Sequence, residues 1–256
     1  MQQTMTHGQM PIPRFLSSHT APPERNSIRL GQYVHFCMTD TAAVFLDLAR
    51  DAYIGIGGHE AELVRTVSHN REISPNAMSQ LTRVLAAHGL LAEDHAVGRH
   101  FVPATPPSCR GPLLDLDADI ELRALLRIDP KHIWRLFRAI AATVFIFRFG
   151  SLRRAVTRIQ RRKKKYGATG VIDLTSACVH VGHFLLLRPL FYAARGRCLF
   201  DSLVLVEFLS YYGLYPNLVL GVRTNPFKAH CWVESDGFIF NDNPAITRGY
   251  AAILVA

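Results

Sequence analysis

The sequence predicts an α+β chain, on three observations. Three short strand-like segments early in the chain are followed by helical periodicity. A proline- and glycine-rich lapse then interrupts the pattern. Near the C-terminus, an almost wholly apolar helix leads into a hairpin. The early strands are Tyr33–Met38, Ala43–Leu48 and Ala52–Gly55, with Arg50-Asp51 as a turn between the second and third. A helix is predicted over Gly58–Val67. A second opens at Ser74-Pro75, an N-cap with proline at the first helical position, and Met78, Leu81, Val84 and Leu85 carry its apolar face to Gly89. Val97–Pro112 holds four prolines and two glycines and has the composition of a linker. Helices are expected over Leu113–Arg127, over Pro130–Arg162 as one long element, and over Asp173–Leu187, closed by Pro189. The expected division is a disordered arm at 1–26, a strand-and-helix module at 27–93, a linker at 94–112 and a second domain at 113–256.

Composition excludes several classes. About half of the 256 residues are hydrophobic and 19% are charged, enough for a substantial core. The polar first 26 residues lack an apolar run of signal-peptide type. Only nine uncharged residues run from Ala139 to Phe147, and fourteen from Leu174 to Leu187, whereas a membrane span needs roughly 20. A cytoplasmic protein is therefore expected. The five cysteines are each at least twenty residues apart, which leaves no CxxC motif and argues against a secreted disulfide framework. His180 and His183 stand i and i+3 on a predicted helix, with no carboxylate or thiol at ligand spacing, so no metal site is expected there.

The net charge of +9 is concentrated. Pro130–Ile172 has no carboxylate and twelve Lys or Arg, eight of them within Arg153–Lys165. This is either a solvated helix end or a docking surface for an acidic partner, a membrane or nucleic acid. Few aromatics interleave the run, so no specific nucleic acid is expected.

Chemistry gathers in the last sixty residues. Cys198 opens Leu199–Tyr212, an apolar stretch ended by Gly213. At a helix N-terminus the free N–H groups and the dipole favour a thiolate, and the same N–H groups can hold an oxyanion. Downstream, Ala229–Glu234 and Phe238–Asp242 are predicted to pair around a three-residue turn, Ser235-Asp236-Gly237. That register opposes Glu234 to Phe238, Trp232 to Phe240 and His230 to Asp242, with Cβ atoms ~5 Å apart. Asp242 is thus expected to orient His230 towards the thiol, making Cys198, His230 and Asp242 the candidate catalytic residues. A two-residue turn would shift the parity and send Asp242 to the wrong face. Cys231 alternates away from His230 and is expected to pack in the core.

Arg197-Cys198-Leu199-Phe200-Asp201-Ser202-Leu203, Gly221-Val222, Phe227 to Glu234 and Asn241-Asp242 resemble the B proteins of lasso-peptide biosynthesis. These are leader peptidases among the transglutaminase-like cysteine peptidases. Relatives mostly carry Ala where this chain has Cys231. Residues ~27–93, through Ala43–Tyr53, resemble the winged-helix-like leader-recognition domain of such pathways. The resemblance implies a fused chain, recognition module first and transglutaminase/papain-like peptidase second, and no intrinsic cofactor. Its implied partners are a precursor leader peptide, bound as an added strand, and an ATP-dependent macrolactam synthetase. ATP-linked cleavage is also implied. The chain has no GxxxxGK[ST] motif, so that dependence is expected to lie with the synthetase or the complex. A membrane surface or exporter is a further expected partner for the basic cluster. Two alternatives stand beside this reading: an acyltransferase using the same triad with an amine acceptor, and a basic nucleic-acid-binding protein with a purely structural hairpin.

Overall fold

The computed structural model describes residues 28–94, 96–105, 109–114, 127–166 and 172–256. The expected N-terminal arm lies outside these residues, as does most of the helix expected over Leu113–Arg127. Strand β1 (Arg29–Leu30) precedes an antiparallel sheet of β2 (Val34–Met38), β3 (Ala42–Asp47) and β4 (Ala52–Gly57), in that order. Helices α1 (Gly58–Ser68) and α2 (Pro75–Ala87) follow, and the Ser74 side chain caps α2 by accepting from the Ala77 N–H.

Alternation along β2 and β3 gives this small sheet two apolar faces. Phe36, Ala43 and Phe45 turn towards Leu63, Val64, Leu81 and Leu85 of the two helices. Cys37, Val44 and Leu46 turn the other way, into the core built by the C-terminal part of the chain. The stretch 94–112, linker-like in composition, carries two short strands. Strand β5 (Arg99–His100) pairs with β1, and β6 (Gly111–Pro112) joins the C-terminal sheet.

Pro130–Arg162 forms two helices where one was expected. Helix α3 (Pro130–Phe149) stops at Gly150, whose backbone is extended, and α4 (Leu152–Tyr166) begins two residues later. A Cβ at Gly150 would lie 2.6 Å from the Ile146 carbonyl oxygen, so only glycine fits this close approach. Helix α5 (Leu174–Leu187) is capped by Asp173 and runs into a 3-10 turn at Arg188–Leu190. Helix α6 (Cys198–Ser210) is buried from Asp201 to Leu209, as its uniformly apolar sequence requires. It lies against strands β7 (Asn217–Arg223) and β8 (Lys228–Ser235). These belong to a sheet ordered β10-β7-β8-β9-β6, with β9 at Phe238–Ile239 and β10 at Ala251–Val255. A short helix α7 (Pro244–Thr247) links β9 to β10. No helix among the described residues is long and apolar enough to cross a membrane.

The inner side of the basic cluster is committed to the core. Glu207, buried on α6, accepts hydrogen bonds from Arg158 at 2.9 Å, from both terminal nitrogens of Arg162, and from the Tyr211 hydroxyl at 3.2 Å. Lys163 bonds the Asn217 side chain, and the Arg153 guanidinium lies over the Tyr33 ring. Arg161 and Lys164 remain exposed. Glu207→Ala is therefore expected to destabilise the protein by about 2 kcal/mol, because two guanidiniums lose their buried acceptor. Exchanging Arg161 and Lys164 together for Gln should stay within about 0.5 kcal/mol of the parent. Urea unfolding midpoints of the purified variants check both.

Candidate active site

Cys198 is the first residue of α6. Arg197, in the cap position, offers no side-chain hydrogen bond to the first N–H groups of the helix. The turn ahead of it closes through the Arg197 N–H to the Ala194 carbonyl, with Gly196 at φ +74°. His230 is the third residue of β8, opposite Gly221 of β7. A Cβ at Gly221 would meet the Trp232 ring at 2.7 Å and Tyr250 Cβ at 2.9 Å. The bare glycine thus lets these two rings close around the imidazole, which lies 5.0 Å from Tyr250 between centroids.

His230 Nε2 pairs with Asp242 Oδ2, leaving Nδ1 as the ring nitrogen for the thiol side. The second Asp242 oxygen accepts from the Asn243 N–H at 2.7 Å. Both side chains are largely enclosed, with 17% of His230 and 16% of Asp242 exposed. These contacts shift the imidazole and the thiol. Its hydrogen bonds to Asp242 first, and then to Cys198, push His230 up to about 9. The His230 hydrogen bond first holds the Cys198 thiol below its ordinary value, helped by the imidazole's charge and the Cys231 and Leu199 N–H groups, and opposed by burial. Both shifts act in the direction of a thiolate beside an imidazolium.

The route by which Asp242 reaches His230 differs from the expected one. The turn has two residues, Asp236 and Gly237, both at positive φ (52° and 84°), and the register pairs Ser235 with Phe238 and Glu234 with Ile239. An Asp-Gly pair with φ > 0 at both positions forms the type I′ turn, whose twist matches the strands and displaces the three-residue loop. Continued, that register would set Asp242 opposite Cys231. Instead the ladder ends on the Phe240 N–H, which donates to the Val233 carbonyl at 2.9 Å. The Asn241 side-chain oxygen takes the Val233 N–H at 2.9 Å, and the chain bends so that Asp242 meets His230. Cys231 is buried as expected, and desolvation pushes its thiol well up.

A buried network behind Cys198 had no role assigned from the sequence. Asp201, one turn into α6, accepts from Arg188 at 2.7 Å, the Tyr192 hydroxyl at 3.0 Å and Asn241 Nδ2 at 2.9 Å. Asn241 also donates to Ser202, whose hydroxyl donates to the Cys231 carbonyl. The start of α6 is thereby tied to the strand and bend that carry His230 and Asp242. The sequence signal was a carboxylate three residues after Cys198 inside an apolar helix, which needs partners to be buried.

Two clefts meet at Cys198. One, of ≈ 570 Å³, is walled by Val144, Phe147, Leu199 and Phe200, with Arg148 and Arg197 at its rim. The other, of ≈ 450 Å³, holds Arg188, Arg195, His230 and Asp242. The arrangement can activate a thiol, place a carbonyl carbon over it, and move a proton between thiol and leaving group.

The transglutaminase-like superfamily profile matches residues 136–255, a span that contains all three side chains. Over 50 residues the chain is 45% identical to the microcin J25-processing protein McjB of Escherichia coli. That segment covers 20% of this chain and 24% of McjB, so the match spans about a quarter of the curated relative. No solved structure matches the chain. Over residues 136–255 this α+β chain is similar to the transglutaminase-like superfamily, and the chain resembles the B proteins of lasso-peptide biosynthesis.

Proposed function

We propose that the protein is a cysteine leader peptidase that removes the leader from a lasso-peptide precursor. The observation that carries this reading is the Cys198 thiol at a helix N-terminus, hydrogen-bonded to an imidazole whose far nitrogen is held by Asp242. The thiolate attacks the scissile carbonyl, and N–H groups around Cys198 stabilise the oxyanion. The His230 imidazolium gives its proton to the leaving amine. Neutral again, it takes a proton from the water that hydrolyses the thioester. Asp242 holds the ring's orientation throughout.

The N-terminal sheet is the proposed leader-binding element. The outer edge of β4 has no strand partner among the described residues. An extended peptide added antiparallel to β4 runs C-terminally towards Ala52 and Tyr53. Tyr53 packs edge-on against Phe227 at 5.5 Å and lies within electrostatic reach of Cys198. The end of a leader held there is delivered to the two clefts. The released core has a free N-terminus, which an ATP-dependent macrolactam synthetase would close, and any ATP requirement is assigned to that partner.

Mass spectrometry of a lasso precursor peptide incubated with the protein should show one cleavage site, lost in Cys198→Ala. Cleavage by both would remove Cys198 from the mechanism, and an amide-crosslinked product would favour acyl transfer. If neither cleaves alone, the comparison is repeated with synthetase and ATP. Activity should rise with pH as Cys198 ionises below its ordinary value, then fall through about 9 as His230 loses its proton. Asn241→Ala frees the bend that presents Asp242, so it should lower kcat about tenfold or more and bring the alkaline limb below that of the parent. Rates measured across pH 5 to 10 check both statements.

A further inference from the structure

A second cluster of chemistry-bearing side chains lies at the other end of α6. The 13-residue helix separates it from Cys198 by about 20 Å. His132, in the first turn of α3, meets His180 and His183 of α5, and Tyr212 follows the end of α6. Each histidine offers a ring nitrogen, and the three offered atoms lie within 4.8 Å of one another. The His132 and His183 rings stack at 4.1 Å between centroids, and His180 lies on the Tyr212 ring at 3.7 Å. Imidazoles gathered in a helical core incur desolvation unless their nitrogens find partners. His132 Nδ1 meets the Tyr212 hydroxyl, and His183 Nε2 meets the Arg127 carbonyl. His180 Nδ1 is buried without a hydrogen-bond partner. His183 Nδ1 is also buried, with the Val179 carbonyl one turn back near enough to act on the ring's charge.

We propose that His132, His180 and His183 form a structural site for a zinc-class dication, with the fourth position open to water. Metal ligation needs the neutral imidazole ring. Three nitrogen ligands without a carboxylate suit zinc, nickel or copper over magnesium or calcium. Tetrahedral Zn–N bonds need ligand nitrogens about 3.4 Å apart, so the rings must turn inwards from their present spacing. Tyr212 stays a phenol, its hydroxyl pushed up by burial, and serves as a hydrogen-bonding neighbour of the ligands. Two cations oppose the ion. Lys131 is paired with Asp129 at 3.1 Å, and the Arg135 guanidinium is turned over the Tyr212 ring at 4.3 Å. An ion here ties α3 to α5 beside the end of α6, a role in stability with no part in the cleavage chemistry.

The test uses tag-free, full-length Cys198→Ala protein, so that the thiol of the candidate active site contributes no ligand. After chelator treatment and dialysis, Zn²⁺ uptake is measured by equilibrium dialysis with elemental analysis, Co²⁺ binding by its visible spectrum, and melting with and without Zn²⁺. Expected results are stoichiometric uptake, a Co²⁺ spectrum and a higher Tm with metal. His132→Gln and His180→Gln should each lower affinity by at least about tenfold, while His88→Gln on the surface leaves it unchanged. If His132→Gln fails to fold, the partly exposed His180 carries the comparison. No stoichiometric uptake, or uptake unchanged in His180→Gln, overturns the proposal. Neither result depends on whether the protein cleaves a peptide.

Discussion

The burial of α6 is the constraint from which the rest of the molecule follows. A helix enclosed from Asp201 to Leu209 has no solvent face on which to place a polar group, so each polar residue on it must be satisfied by another element. Asp201 is met by Arg188, Tyr192 and Asn241, and Glu207 by Arg158 and Arg162. Cys198 is met by the imidazole of β8. The surrounding helices and the hairpin are thus fixed in position by the same contacts that make the helix tolerable in the core. Because Asp201 and Cys198 share one turn, the network that pays for a buried carboxylate also sets the geometry around the thiol.

That economy explains which parts were legible in the sequence. Local signals sufficed for the strands of the N-terminal sheet, for the Ser74-Pro75 helix start, and for the buried helix opening at Cys198. The juxtaposition of His230 with Asp242 was also anticipated, although by a different path. The inference assumed an undisturbed ladder around a three-residue turn. In the structure the backbone of Asp236-Gly237 prefers the type I′ geometry, and Asn241 then breaks the ladder. Strand parity is a local rule, whereas the bend at Asn241 is imposed by Asp201 and Ser202, forty residues earlier. No periodicity in the hairpin could have announced it.

The same distinction separates the remaining differences. Helical periodicity continues across Gly150, so the break between α3 and α4 was hidden behind an unbroken apolar stripe. The basic run looked like free surface because its acceptor, Glu207, lies some 45 residues on, in another helix. His132 is 48 residues before His180, and nothing in either neighbourhood marks them as one cluster. Side chains that meet only through packing leave no spacing to read.

The three-stranded N-terminal sheet has a further consequence. With Phe36 and Phe45 packed on one side and Cys37, Val44 and Leu46 on the other, it is an inner layer of a sandwich. Cut between the sheet and the remainder, the chain would yield two polypeptides with matching apolar scars. Each would need the other for solubility, so the halves would behave as an obligate heterodimer. The placement of the sheet against the C-terminal part is accordingly held by this shared interior as well as by the covalent connection.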